Sequence, residues 1–289
     1  MRKFTSTLLI LVPLLVMAGC TMPEIKGVTE HMDMISTTVK ATSKASRPIS
    51  DEEEYYVGRS VAARILDSYS IYKNRKLTRY VNAVGQTIVI HSDKPYTFGG
   101  YHFAVLDSRE INAFACPGGI IFITKGMVDM VKNEDELAAV LAHEISHINH
   151  RDGIGSIKQA RWTEALVVIG TTAAKEYGDK DVARLAGLFE GSIDDVVKTL
   201  VVNGYGREQE FNADRKAMTM LTKAGYDPES LQVFVARLIE KGRTSKGGMF
   251  KTHPGTQKRE ENIKANIPKG KTAPDLLAKR SKRFMAAVN

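Results

Sequence analysis

The chain has 289 residues, of which 43% are hydrophobic, so it can bury one sizeable core. Its formal net charge of +8 is spread over short Lys/Arg clusters, and no nucleic-acid-binding motif accompanies them. A solvated basic surface is therefore favoured, and nucleic acid is not expected as a partner. No internal repeat of roughly 20–50 residues appears, which argues against a solenoid.

The first 20 residues resemble a bacterial lipoprotein signal peptide. A charged start precedes an apolar core at residues 8–17, which is shorter than the ~20 residues that span a bilayer. The segment ends in M-A-G-C at Cys20, with Met17 where Leu is usual. The resemblance implies removal of residues 1–19, lipidation of Cys20 and attachment to the periplasmic side of the outer membrane. An ordinary signal peptide with a secreted product is the alternative.

Residues 20–49 are rich in Thr, Ser and Lys and have no sustained hydrophobic period, which predicts a tether. Ser50 and Glu53 have the spacing of a capping box, and this predicts a helix from Asp51 to about residue 68. A second helix is predicted over residues 76–90. The folded domain is therefore expected to span residues 50–289.

Two apolar runs, at residues 102–106 and 120–124, predict strands. The intervening residues 112–119 include Pro and paired Gly, which predict a turn or special backbone. The predicted fold class is α+β: mainly helical, with a small antiparallel or mixed sheet beside the helix that follows.

Because Cys20 belongs to the signal motif, Cys116 is a lone thiol with apolar neighbours, and a structural role is predicted.

The pattern H-E-x-x-H occupies residues 143–147, inside a run whose Ala/Leu content and spacing predict a helix from about residue 134. Asn133 is expected to cap this helix, with Glu136 completing the capping pair. His143 and His147 leave the same face one turn apart, where two imidazoles can hold one zinc ion. Glu144 is placed to act as a base toward water.

A catalytic zinc site needs a third protein ligand. His150 lies about one turn beyond His147, could in principle approach the ion, and is left unassigned. Glu210 and Asp214 are four residues apart on a later predicted helix, so Glu210 can bind zinc while Asp214 accepts the outer N–H of a ligating histidine. Glu208 is a competing ligand; it lacks an acidic partner four residues on, so Glu210 is preferred.

His253 precedes Pro254, which disfavours helical backbone at the histidine. A histidine in such a loop can reach the open position of a metal site, stabilise an oxyanion, or simply be fixed by packing. Arg259 is a weaker candidate for the same side of the site. A helix is predicted over residues 256–266.

Together, the motifs H-E-I-S-H, E-F-N-A-D, N-A-F-A-C-P-G-G and T-H-P resemble the gluzincin family of HtpX and the type I CaaX prenyl proteases. The resemblance covers residues 50–267 and is greatest to soluble, periplasmic lipoprotein members. It implies one Zn²⁺ per chain on His143, His147 and Glu210, with Glu144 catalytic and Asp214 behind the ligands. It also implies that the strand at residues 119–124 is the edge that binds substrate.

The expected function is that of a zinc-dependent endopeptidase of the bacterial cell envelope, which hydrolyses misfolded or misassembled envelope proteins. One alternative is a chaperone-like envelope assembly factor; another is a latent protease gated by His253. Expected partners are polypeptide substrates, the membrane through Cys20, and envelope assembly machinery. The sequence leaves open the substrate, the cleavage specificity, the oligomeric state, the oxyanion donor and the role of residues 153–204, whose apolar run at 165–170 would suit a mobile lid.

Overall fold

A computed structural model describes residues 48–158, 161, 164, 179–242, 247–253, 257–268 and 272–288. The described helices in chain order are α1 Asp51–Leu66, α2 Arg75–Val89, α3 Lys125–Met130, α4 Glu134–Asn149, α5 Asp152–Gly155, α6 Asp179–Lys198, α7 Arg207–Lys223, α8 Glu229–Gly242, α9 Met249–Thr252, α10 Gln257–Asn266 and α11 Pro274–Val288. The strands are β1 His102–Leu106, β2 Ala113–Cys116 and β3 Ile120–Thr124. The predicted α+β, mainly helical class is confirmed.

The three strands form one mixed sheet in the order β1-β3-β2. β1 runs parallel to β3, with Phe103 opposite Ile121, and β2 runs antiparallel to β3, with Phe114 opposite Phe122. Part of the segment predicted as a turn is thus a strand, because residues 113–116 are apolar and pair with β3. The tight turn is confined to Pro117–Gly119.

The prediction that residues 119–124 form the substrate edge is wrong. β3 has a neighbour on each side, so its backbone groups are committed to the sheet and cannot pair with a further strand. Its continuous apolar run is typical of a central strand buried on both faces. The edge strand that lies against α4 is β2.

The turn after β2 is held against α1. Gly118 has a φ of 76°, a conformation that side chains with a Cβ rarely adopt. Its N–H donates to Glu54 Oε1 at 3.3 Å, and Glu54 also pairs with Arg151 Nε at 2.9 Å. A Cβ on Gly58 would lie 1.8 Å from the Pro117 carbonyl oxygen, so α1 approaches the turn as closely as backbone allows. The end of β2 is therefore fixed by the first helix.

Helix α4 lies at the centre of the domain and is buried from Glu134 to Ile148. It packs against α2, α7, α8 and β2. Asn133 Oδ1 accepts the Glu136 N–H at 2.9 Å, as predicted. Glu136 does not complete a capping box, because its carboxylate accepts the Lys132 N–H and pairs with Arg237.

The helix predicted from Asp51 is confirmed together with its Ser50–Glu53 capping box. Ile49, assigned to the tether from the sequence, packs in the core beside α1. Among the described residues, no helix combines the length and apolar character that a membrane crossing requires. The predicted signal peptide with Cys20, residues 20–47, the apolar run at 165–170 and Pro254 lie outside the described residues.

Candidate metal centre

His143 and His147 project from one face of α4 with their Nε2 atoms 3.1 Å apart. Helix α7 crosses α4 and brings Glu210 to both histidines. Its Oε2 lies 3.5 Å from His143 Nε2 and its Oε1 lies 3.6 Å from His147 Nε2. All three side chains are at most 3% exposed. The structure thus brings together the three residues that the sequence suggested as ligands.

His253 follows α9 and adds a fourth donor. Its Nδ1 lies 2.9 Å from Glu210 Oε1 and 3.3 Å from His143 Nε2. One potential ligand atom from each of the four residues lies within 4.8 Å of the others. Tetrahedral zinc with bonds of about 2.0–2.1 Å separates its ligand atoms by about 3.4 Å, so this set of imidazoles and a carboxylate suits zinc.

The two competing candidates are placed elsewhere. Glu208 is exposed in the first turn of α7, on a different side from Glu210. His150 is exposed beyond the end of α4, and its Nδ1 lies 3.4 Å from Ser146 Oγ. Neither belongs to the cluster of possible ligands.

Glu144 is fully buried beside the cluster. Neither of its carboxylate oxygens has a hydrogen-bond partner among the described residues, and the approach of His253 Nε2 to Oε1 is 3.8 Å. Burying a carboxylate without a partner is unfavourable, so such groups are rarely left unpaired for structural reasons. Both oxygens of Glu144 are therefore available to exchange a proton with a reacting group.

His143 is supported by a buried carboxylate and guanidinium. Asp214 Oδ1 lies 3.0 Å from His143 Nδ1, which turns Nε2 toward the cluster. Arg259 donates to both oxygens of Asp214, from Nε at 2.6 Å and from Nη2 at 2.8 Å, and its Nη1 lies 2.8 Å from Glu210 Oε2. Burial opposes ionisation of Asp214, but Arg259 holds the pKa of this carboxyl below its ordinary value.

His147 has a separate support that the sequence did not reveal. Asp152 Oδ2 lies 2.7 Å from His147 Nδ1, and Asp152 Oδ1 accepts a hydrogen bond from Gln209 Nε2 at 3.0 Å. The ring of Tyr205 stacks on the opposite side of this imidazole, with centroids 4.1 Å apart. Arg151, with a φ of 58°, reverses the chain after α4 and so returns Asp152 to the histidine.

The two imidazoles differ in proton affinity. Burial and Arg259 lower the pKa of His143, but the hydrogen bonds that it donates to Asp214 and Glu210 outweigh them and raise it to about 9. Burial lowers the pKa of His147 below its ordinary value, in spite of the hydrogen bond that it donates to Asp152. Glu210 has a pKa well below its ordinary value because the charges around it, from His253 and Arg259 first, outweigh its burial. Glu210 is thus a carboxylate anion at neutral pH, the form that can bind a metal ion.

Comparison with known proteins agrees with this geometry. Residues 75–267 match the profile of Peptidase family M48. The chain is 26% identical over 228 residues to the beta-barrel assembly-enhancing protease of Escherichia coli (strain K12), covering 77% of this chain and 45% of that protein. It is 28% identical over 204 residues to Metalloprotease LoiP of the same organism, covering 70% of this chain and 73% of LoiP.

The chain is also 26% identical over 210 residues to the mitochondrial metalloendopeptidase OMA1 of Schizosaccharomyces pombe, a match that covers 71% of this chain and 56% of that protein. The matched part of the chain spans less than half the length of the beta-barrel assembly-enhancing proteases. The matched region contains the whole described ligand cluster, from His143 to His253.

Proposed function

Because the chain belongs to peptidase family M48, we propose that it is a zinc-dependent endopeptidase with one Zn²⁺ on His143, His147 and Glu210. The observation that carries this proposal is the buried, unpaired carboxylate of Glu144 beside a cluster of three imidazoles and one carboxylate. A purely structural metal site needs four ligands but has no use for such a base.

A bound zinc ion supplies Lewis acidity, which polarises a carbonyl group and makes water a better nucleophile. The chain's own residues handle the protons. Glu144 accepts one from the attacking water and then donates it to the leaving amine. Asp214 and Asp152 keep the Nδ1 protons of His143 and His147 turned outward. Burial of Glu144 excludes bulk water, which strengthens its interactions with the reacting groups.

Substrate binding along β2 follows from the hydrogen-bond alternation of an antiparallel pair. The Thr124 N–H donates to the Asn112 carbonyl at 3.0 Å, so the backbone groups of residues 113 and 115 point away from β3. The Ala113 N–H is bonded to Asn112 Oδ1. We propose that an extended substrate pairs with the outward-pointing backbone groups of Ala115 and so lies alongside β2, next to the metal centre.

The substrates and location are part of the same proposal. We propose that the protein acts in the periplasm, anchored to the outer membrane through Cys20, on misfolded or misassembled envelope proteins. The lipobox-like sequence at residues 17–20 supports the anchor. The name of one relative, a beta-barrel assembly-enhancing protease, supports envelope substrates and envelope assembly machinery as a partner.

The central test uses purified mature protein with its metal content measured. Wild type is expected to cleave casein, whereas Glu144→Gln is expected to keep its zinc and to lose at least ~100-fold in kcat, because the base is gone. Equal zinc and equal cleavage in the two proteins would refute the catalytic assignment. Zinc-dependent suppression of casein aggregation that is the same in both, with no cleavage, would favour the chaperone-like alternative.

The position of His253 supports a second candidate, a protease that is latent until a partner acts. His253 Nδ1 lies within 3.3 Å of His143 Nε2 and 2.9 Å of Glu210 Oε1, so it occupies the fourth place of the ligand set. Full zinc without cleavage until His253→Ala is made would establish latency. Equal or lower activity in His253→Ala would exclude it.

The anchor has its own test. Cys20→Ser is expected to move the protein from the membrane fraction to the soluble periplasmic fraction, because the lipid attachment site is removed. Blotting of the two fractions measures this. Unchanged fractionation would show that Cys20 is not the anchor.

A further inference from the structure

Tyr205 is buried in the candidate metal centre, yet its hydroxyl has no role in the contacts described above. The residue is 9% exposed, and its hydroxyl oxygen has no hydrogen-bond partner among the described residues. A buried tyrosine usually finds a partner for this group, since leaving it unpaired costs roughly 1–3 kcal/mol. An unpaired hydroxyl at a reactive centre therefore suggests a ligand that completes the bond.

The tyrosine ring is fixed by the ligand histidines. It stacks on His147 with centroids 4.1 Å apart and an interplanar angle of 24°, and it meets the His253 ring edge-on at 5.7 Å. The Tyr205 N–H donates to the Thr252 carbonyl oxygen at 3.2 Å, which ties the backbone to the turn that carries His253. The hydroxyl is thus held by the same contacts that define the metal centre.

The hydroxyl shares its surroundings with Glu144 and the end of the substrate strand. Tyr205 packs in the cluster of buried residues that includes Phe114 and Cys116 of β2. Burial first, and the Glu144 charge second, raise the pKa of the Tyr205 hydroxyl well above its ordinary value, and the same two causes raise the pKa of the Cys116 thiol. A tyrosine hydroxyl with its ordinary pKa of about 10 already carries its proton at neutral pH, so Tyr205 can donate a hydrogen bond to an anion.

The other buried donors of the centre are engaged. Arg259 binds both oxygens of Asp214, pairs with Glu210 and donates to the His253 carbonyl oxygen. The Nδ1 atom of His253 lies against Glu210. The Tyr205 hydroxyl, by contrast, has no acceptor among the described residues.

We propose that the Tyr205 hydroxyl is a catalytic residue that donates a hydrogen bond to the carbonyl oxygen of the scissile peptide as this oxygen becomes an anion. The inference rests on the proposed peptidase function. In the step concerned, the water oxygen bonds to the carbonyl carbon and Glu144 takes the proton that water loses. The C=O π pair moves onto the carbonyl oxygen, where Tyr205 stabilises it. When the C–N bond breaks, that pair re-forms the C=O bond, and the amine leaves with the proton from Glu144.

The test replaces only the hydroxyl. Tyr205→Phe retains the ring on His147, so zinc content and the KM for a casein-derived fluorogenic peptide should stay within about twofold of wild type. The kcat should fall by about 100-fold, the typical effect of removing one oxyanion donor. The matched control is Tyr226→Phe, which loses a buried hydroxyl whose partner is Glu134, about 13 Å along α4 from His143. The control should leave kcat unchanged.

A binding measurement separates this inference from the peptidase function itself. A leucyl phosphoramidate dipeptide carries tetrahedral oxygens that mimic the oxyanion, and the same dipeptide without its phosphoryl group does not. Calorimetry on zinc-loaded protein should show that Tyr205→Phe binds the phosphoramidate at least ~10-fold more weakly than wild type, with no change for the plain dipeptide. This result would support the inference even if wild type cleaved no casein, in which case only the proposed function would fail.

Four results would overturn the role of Tyr205. The first is a Tyr205→Phe variant with wild-type kcat and wild-type phosphoramidate affinity. The second is a variant that loses zinc, because the residue would then act on the metal site and not on the substrate. The third is a wild-type protein that binds no phosphoramidate. A raised KM with unchanged kcat would also contradict the proposal, because it would show uniform binding and no preference for the transition state.

Discussion

The two histidines of α4 are held by carboxylates that reach them in different ways. Asp214 from α7 pairs with His143, and Arg259 from α10 donates hydrogen bonds to both oxygens of Asp214. His147 is held by Asp152, which lies only five residues further along the chain, with Gln209 as its second partner. The first support joins three helices through buried charges, whereas the second is largely local. The first should therefore matter to folding as well as to metal binding, and the second mainly to metal binding.

Removing Glu210, the proposed ligand that lies near both histidines, should have the largest effect. Glu210→Ala is expected to weaken zinc binding by more than ~100-fold, because loss of a ligand exceeds the 10–100-fold that loss of a supporting group typically costs. Titration against a chromophoric chelator measures this. The matched control is Glu208→Ala on the exposed side of the same helix turn, which should bind zinc as wild type does. The opposite ranking would reassign the ligand.

The next largest effect is expected on the stability of the fold, when the buried guanidinium of Arg259 is removed. Arg259→Met removes a guanidinium that is 2% exposed and leaves Asp214 and Glu210 without their cation. The free energy of unfolding of the zinc-free protein should fall by about 3–5 kcal/mol, as measured by urea denaturation.

Arg64→Met is the control for that measurement. Arg64 pairs with Asp194 at 3.4 Å where both side chains are more than half exposed, so its loss should change stability by less than ~1 kcal/mol. If the two variants unfolded at the same urea concentration, the His143 support would not be part of what stabilises the fold.

The same contrast shows what the sequence could and could not predict. Glu210 and Asp214 stand four residues apart on one helix, so helical periodicity alone indicated that they share a face. Asp152 follows α4 across the left-handed residue Arg151, and no periodicity predicts where a reversed chain will return. The partner of Asp152, Gln209, directly precedes the proposed ligand Glu210 and has no distinguishing pattern of its own.

Only part of the sheet could be predicted from the sequence. The apolar runs at β1 and β3 were found because they are long enough to show a strand pattern, and their limits match the structure. The strand β2 that pairs with β3 was not predicted, because it has only four residues and precedes a Pro-Gly-Gly turn. Strand order depends on contacts distant in sequence, so the sequence did not reveal that β3, which the family resemblance implied as the substrate edge, is the central strand.

A direct comparison of the two supporting carboxylates should give smaller effects of unequal size. Asp214→Asn and Asp152→Asn each keep the shape of the side chain and remove its charge. Both should weaken zinc binding within the range of about 10–100-fold, with Asp214→Asn at the upper end. Only Asp214→Asn should also destabilise the zinc-free protein, by about 3 kcal/mol, since it leaves Arg259 buried with one fewer anion. Equal losses of stability in the two variants would break the proposed distinction.

The smallest effect is expected at Gln209, which contacts His147 only through Asp152. Gln209 Nε2 donates to Asp152 at 3.0 Å, and Gln209 Oε1 accepts the Gly206 N–H at 2.9 Å at the start of α7. Gln209→Leu should therefore lower stability by about 1 kcal/mol and weaken zinc binding only a few-fold.

A double-mutant cycle decides whether Gln209 acts on the metal through Asp152 or only as a cap. If it acts through Asp152, adding Gln209→Leu to Asp152→Asn should weaken zinc binding no further, because the bond to the carboxylate has already been altered. If the two effects on zinc affinity simply add, Gln209 serves α7 alone. The hydrogen-bonded support of His147 would then come from Asp152 alone, a residue next to its own helix.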